Sequence, residues 1–161
     1  MRRALQQSFL DSPYAELDPV RVEAPFVVVV GGRMVRGRID AVYERDGCTE
    51  LVDFKTGSRP APGDASARTQ LDLYGMAAVD TWGVDPNSLR TSYCYLRADG
   101  PAEIDAVDWN DAVLGEVRGR LGRALDGLTL QRYPTQPGSW CRRCDFLAFC
   151  PSGQAAVDED R

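Results

Sequence analysis

The chain has 161 residues, 43% of them apolar and 27% charged, with a net charge of -5. That length and composition suit one soluble domain with a real core, and the acidic balance argues against a basic nucleic-acid coat. There is no histidine, which removes Ser-His-Asp catalysis, Cys-His catalysis and histidine metal sites together.

Leu5, Phe9 and Leu10 recur at helical spacing over 2–10, Asp11-Ser12-Pro13 closes that helix, and a short turn over 14–17 follows. β-branched residues predict a strand over 20–30, and Gly31-Gly32 a hairpin turn. The next strand, 34–45, alternates. Val35, Ile39, Ala41 and Tyr43 are expected on one face, with Arg36, Arg38, Asp40 and Glu44 on the other. Asp46-Gly47 leads into a third strand, 49–54, with Val52 and Phe54 toward the core and Asp53 and Lys55 opposite. After a proline-containing loop, Asp64 or Ser66 caps a helix to about Val79 that Trp82-Gly83 ends. A fourth strand is predicted over 92–97. Asp108 then caps a helix whose Leu114, Val117, Leu121, Ala124 and Leu128 form one apolar stripe, weakened by Gly115, Gly119 and Gly122. The expectation is an α/β fold, a mixed sheet with helices on its faces, as one domain over 1–161. Within it, 132–151 form a cysteine-rich ending and 152–161 a fraying tail. No run approaches membrane-spanning length and no charged-then-apolar leader opens the chain, so a cytoplasmic protein without a membrane partner is expected.

Lys55 is the only lysine; the other 18 basic residues are arginine. A compact ammonium on a flexible stem does what a guanidinium cannot. Asp53 shares its strand face, and Asp40 lies on the neighbouring strand. Two such carboxylates suit Mg²⁺ or Mn²⁺, with Lys55 placed to orient a water and offset phosphoryl charge; the bland reading is a pair of solvated acids on a half-exposed sheet. Gln70 and Tyr74, four residues apart, share one face of the following helix, either supporting that site or serving as a helix former and a core aromatic. Cys141-x2-Cys144-x5-Cys150 is a soft-metal ligand spacing, whose plain alternative is a loop with chance cysteines. Trp140, Phe146, Leu147 and Phe149 are expected to shield such a site. Cys94 reads as a small buried hydrophobe and Cys48 as a turn residue. Arg142 and Arg143 are candidates for phosphate contact, or ordinary solvated arginines.

Taken in order, Asp40, Asp53-x-Lys55 and Gln70-x-x-x-Tyr74 are far more specific than any part. Together with Glu23-Ala24-Pro25-Phe26, Gly37-Arg38-Ile39-Asp40 and the terminal cysteines, they make the sequence resemble the PD-(D/E)XK nuclease superfamily, from about Glu23 to Pro151. Within it the likeness is to RecB-type nuclease domains, as at the ends of UvrD/RecB-like helicase-nucleases. The resemblance implies a restriction-endonuclease-like αβββαβ core and metal-dependent hydrolysis of DNA that leaves a 5′-phosphate and a 3′-hydroxyl, as an exonuclease in repair or recombination. It implies Asp40, Asp53 and the backbone carbonyl of Phe54 as metal ligands, Lys55 as the residue that positions water, and Gln70 and Tyr74 as supports that also contact nucleic acid. The implied partners are DNA and the helicase domains of a parent polypeptide. Alternatives are a free-standing exonuclease like the CRISPR-associated spacer-acquisition nuclease, or an inactive member that binds DNA or docks a partner. Many RecB-type members carry a first-helix histidine that reaches the metal; here either Glu23 or Glu16 replaces it or the equivalent position has been cut away. Members with the cysteine ending hold a 4Fe-4S cluster on four cysteines. Cys141, Cys144 and Cys150 match the last three, which leaves a cluster short of a ligand, one that borrows Cys48, zinc instead, or a disulfide.

Overall fold

The valines at 27–30 and the turn at Gly31 and Gly32, both at positive φ, build a long hairpin from β1 (Arg21–Val30) and β2 (Arg33–Arg45). These are features of a computed structural model that describes residues 2–60, 68–131 and 134–159. Asp46 and Gly47, again at positive φ, turn the chain into β3 (Cys48–Lys55), antiparallel to β2. β4 (Leu89–Tyr95) runs parallel to β3, and β5 (Glu103–Asp108) antiparallel to β4, so the sheet order is β1-β2-β3-β4-β5. A parallel step demands a crossover, which α2 (Thr69–Trp82) supplies before Gly83 ends it in the left-handed conformation. α1 (Arg2–Leu10) precedes the sheet and α3 (Asp111–Thr129) follows it. The expected mixed sheet flanked by helices is therefore found, with β5 as an additional strand. Asp108 does not cap α3: it ends β5 and pairs with Arg90 at 2.6 Å, and the Asn110 side chain accepts the Val113 N–H instead. The fourth strand begins three residues earlier than expected. The capping roles of Asp64 and Ser66 fall outside the described residues.

The centre of the sheet is buried on both faces, while one face of β1 stays exposed at Val22, Val27 and Val29. Beneath α2 and α3 lie Phe26, Val28, Ile39, Leu51, Tyr74 and Trp109, while Tyr14, Ala41, Tyr43, Val52 and Cys94 form the core on the α1 face with Phe9 and Phe54. These two lists correct the facing expected for β2. Val35 and Ile39 belong with α2, but Ala41 and Tyr43 belong to the opposite core, so the alternation slips by one residue around Asp40. The cause lies on the next strand: Glu23, which the register sets opposite Asp40, is at φ 49, and the β1–β2 pairing skips that pair. The α3 stripe is corrected too. Leu114, Val117 and Leu121 are buried and Leu125 joins them, whereas Ala124 is exposed; the Leu128 side chain is outside the described set.

Gly75 lets α2 settle against Trp109, since a methyl there would sit inside the indole, and the indole N–H is anchored on Thr91 Oγ1 at 3.0 Å. Asp72, buried on α2, receives both the Nε and an Nη of Arg120 from α3, at 2.9 and 2.8 Å. The helix that carries Gln70 and Tyr74 is thereby seated on the sheet through Trp109 and tied to α3 through Arg120. The chain divides into two compact units, 1–125 and 126–161. The second contains two 3₁₀ turns, Ser139–Arg143 and Leu147–Phe149, and a helix, α4 (Pro151–Glu159), in place of the fraying tail expected there. Among the described residues, no helix is long and apolar enough to cross a membrane.

Candidate active site

The slip in β2 has a chemical result. With the β2–β3 ladder ending at Ala41 and Val52, the Asp40 carboxylate takes over where the next pair would have been, and its Oδ2 accepts the Phe54 N–H at 2.8 Å. The N–H and C=O of one strand residue point the same way. The Phe54 carbonyl is therefore directed to the Asp40 side, while the Lys55 carbonyl points oppositely and accepts the Leu96 N–H at 2.7 Å.

Asp53, on the α2 face of β3, is 2% exposed. Its Oδ1 accepts from Gln70 Nε2 at 2.7 Å and from the Tyr74 hydroxyl at 3.0 Å. Its Oδ2 is buried and meets Lys55 Nζ at 2.6 Å, a charge-assisted contact, with no other partner among the described residues. Lys55 Nζ also donates to Gln70 Oε1 at 2.8 Å and stands 5.3 Å over the Tyr93 ring. Gln70 Nε2 is 2.6 Å from the Tyr74 oxygen, which closes the network and fixes which way the amide is turned. Burial raises the Asp53 pKa and the Asp40 charge adds to this, against the opposing pull of Lys55 and Tyr74. Burial, then the Asp53 charge, raises Tyr74, so its hydroxyl stays a donor. A cleft of about 310 Å³ opens beside the network, lined by Lys55, Gly57, Ser58, Pro60, Gln70, Tyr93 and Tyr95.

The five residues Asp40, Asp53, Lys55, Gln70 and Tyr74 thus meet at one place, carried by β2, β3 and the crossover helix. The profile of the PD-(D/E)XK nuclease superfamily matches residues 1–151. The chain belongs to this superfamily. Two phage proteins are similar: the Gene 69 protein of Mycobacterium phage D29, 29% identical over 137 residues, and that of Mycobacterium phage L5, 28% identical over 134. Each match takes 81% of this chain but only 47% and 44% of the relatives, so the chain spans less than half their length. Among solved structures, SSO0001 aligns over 92% of this chain and 66% of its own, with a TM-score of 0.51 and 17% identity. A candidate exonuclease from Eubacterium rectale aligns over 92% and 58%, with a TM-score of 0.57 and 11% identity. At such identities the likeness establishes the fold.

Other expected site residues of this PD-(D/E)XK domain are placed differently. Glu23 is exposed and turned to Arg38 at 3.8 Å, and Glu16 is exposed in the turn that follows α1. Among the described residues, no three His, Cys, Asp or Glu side chains group closely enough to hold a metal ion. Phe54, as a backbone oxygen, lies outside that count. For the cysteines it is a correction. Cys141 and Cys150 do gather around Gly153, where an added Cβ would lie 3.5 and 3.4 Å from their sulfurs, and each sulfur accepts a backbone N–H at 3.4 Å, from Gly138 and Gly153. Cys144 does not join them. It follows the 3₁₀ turn in extended backbone and is exposed. All three thiols are free. The expected aromatic shield is absent as well, since Trp140, Phe146 and Phe149 are exposed. Arg142 and Arg143 are exposed in the same segment. Cys94 is fully buried, its thiol pushed up to about 11 by burial, as suits a packing residue. Tyr93 beneath the ammonium was not singled out from sequence; its place follows from the parallel register, which sets Tyr93 beside Asp53.

Proposed function

We propose that this chain hydrolyses DNA phosphodiester bonds with a divalent cation, Mg²⁺ or Mn²⁺, held by Asp40, Asp53 and the Phe54 carbonyl. The observation that carries the reading is the buried Asp53 carboxylate, whose Oδ2 has only the Lys55 ammonium as a partner among the described residues, beside the Asp40 carboxylate that accepts from Phe54 in a set of hard oxygen donors. A cation bound there supplies Lewis-acid polarisation of the phosphate and a bound water of lowered pKa. Everything else is done by the chain. Gln70 and Tyr74 saturate Asp53 Oδ1 and leave Oδ2 facing the site. Gln70 Oε1 holds the Lys55 ammonium, which orients the attacking water and offsets charge on the phosphoryl oxygens as the bond breaks. The carboxylate that would hold the cation and the ammonium that would orient the water are thus tied through one amide.

By resemblance the product ends are a 5′-phosphate and a 3′-hydroxyl, and the setting is exonuclease action in repair or recombination, beside helicase domains. The test is cleavage of single- and double-stranded DNA with and without Mn²⁺, wild type beside Lys55→Ala and Lys55→Arg. Cleavage should require metal, and both variants should fold yet lose about 10²–10³-fold in rate. Metal-independent cleavage, or near wild-type rates without Lys55, would overturn the assignment.

A further inference from the structure

Residues 138–149 show an anomaly that the active site does not use. Trp140 is 63% exposed, Phe146 73% and Phe149 86%, three large apolar side chains in ten residues. Soluble surfaces seldom gather such groups without an occupant. Trp140 is also fixed in place. Its indole N–H donates to the Gln136 carbonyl at 3.0 Å, and its ring lies over Gly138 so closely that an added Cβ would be 2.5 Å from ring carbons. Gly138 has an ordinary extended backbone, so its missing side chain makes room for the ring rather than for a turn. One face of the indole thus rests on backbone while the rest stands open.

Between Trp140 and Phe146 the chain places two exposed arginines, Arg142 and Arg143, against one acid, Asp145. Rigid aromatic faces interleaved with guanidinium groups suit a strand of alternating π-faces and phosphates, and a purely apolar partner would not call for the arginines. We propose that the 126–161 unit binds unpaired nucleic acid, with a base stacked on Trp140 and phosphates met by Arg142 and Arg143. A base paired within a duplex cannot present its face, so the surface selects single strands. This rests on the reading of the chain as a nucleic-acid enzyme, and adds to it a substrate form and a further set of binding residues.

The test measures binding in EDTA, where no metal-dependent cleavage intrudes, by anisotropy of a labelled short oligothymidine, a fully abasic oligomer of equal length and a blunt hairpin duplex. Trp140→Leu should weaken oligothymidine binding about tenfold while leaving abasic and duplex binding unchanged. Arg142→Gln with Arg143→Gln should weaken all three ligands and flatten the salt dependence. Wild-type protein should prefer oligothymidine to the abasic strand, a comparison that needs no variant. Equal wild-type affinity for the two, unchanged binding in Trp140→Leu, or no oligothymidine binding at all would overturn the proposal; the last would leave the aromatic surface to a protein partner. Cleavage is assayed separately. Normal Mn²⁺-dependent cutting with no Trp140 effect on binding removes this inference alone, whereas Trp140-dependent binding without cutting removes only the catalytic reading.

Discussion

Removing a single oxygen from Tyr74 tests whether the helix supports the carboxylate. Tyr74→Phe keeps the ring, which is 3% exposed and packs edge-on against Phe26 with centroids 5.5 Å apart. What is lost is one donor to Asp53 Oδ1 at 3.0 Å and one acceptor for Gln70 Nε2 at 2.6 Å. A hydrogen bond to a charged partner contributes about 2 kcal/mol net, and at this burial water does not replace it. For a chain of this size that is a fall in melting temperature of about 4–8 °C. The second effect is electrostatic. Tyr74 is one of the groups holding the Asp53 pKa down against burial, so its loss raises that pKa further. Metal binding needs the ionised carboxylate, so Mn²⁺ affinity should fall, by about tenfold as is usual for a partner that orients a ligand. The deficit should be larger at pH 6 than at pH 8, because a raised pKa matters less as pH climbs past it. Calorimetric titration at both pH values and thermal unfolding read these quantities. A melting temperature within a degree of wild type together with unchanged Mn²⁺ affinity would refute the claim that Tyr74 supports Asp53.

Asp53→Asn should abolish Mg²⁺ and Mn²⁺ binding in calorimetry, yet raise the melting temperature of metal-free protein at pH 8. A carboxylate whose folded pKa is raised binds protons more tightly when folded, so the wild type loses stability as pH rises through that pKa and the gap between the two proteins should close at acid pH. A variant less stable than wild type at pH 8 would contradict this. Gly75→Ala, which drives a methyl into the Trp109 ring, should destabilise by about 1–3 kcal/mol in urea unfolding and reduce cleavage by displacing α2, and a neutral result would mean that α2 is not seated on Trp109.

The Asp53–Lys55 stretch was legible because β3 is regular. Val52 and Phe54 enter the α1-side core and Asp53 turns the other way, as simple alternation demands. The same rule failed one strand earlier, because the slip at Asp40 depends on the backbone of Glu23, and a positive φ at a glutamate leaves no mark in sequence. Strand β5 was missed since Glu103-Ile104-Asp105-Ala106-Val107-Asp108 is an edge strand without a fully buried residue, so burial does not enforce a clean apolar pattern. The cysteine spacing told which residues can ligate but not where their sulfurs go, and the extended backbone at Cys144 decided that. For α4 a signal did exist, Pro151 at the first helical position, but Gly153 two residues later obscures it.

All four members of the Asp53 network and its neighbour Asp40 fall between residues 40 and 74, carried on one hairpin strand, the next, and the helix that leaves it. Only the cleft's far wall, Tyr93 and Tyr95, comes from later in the chain. The candidate site is therefore a local cassette rather than a constellation drawn from distant segments. Lengthening the turn between β4 and β5, or joining further domains beyond α3, alters nothing within it. Relatives that continue well beyond the matched segment can thus share this core, with changes at its periphery that leave the candidate-site residues as they are.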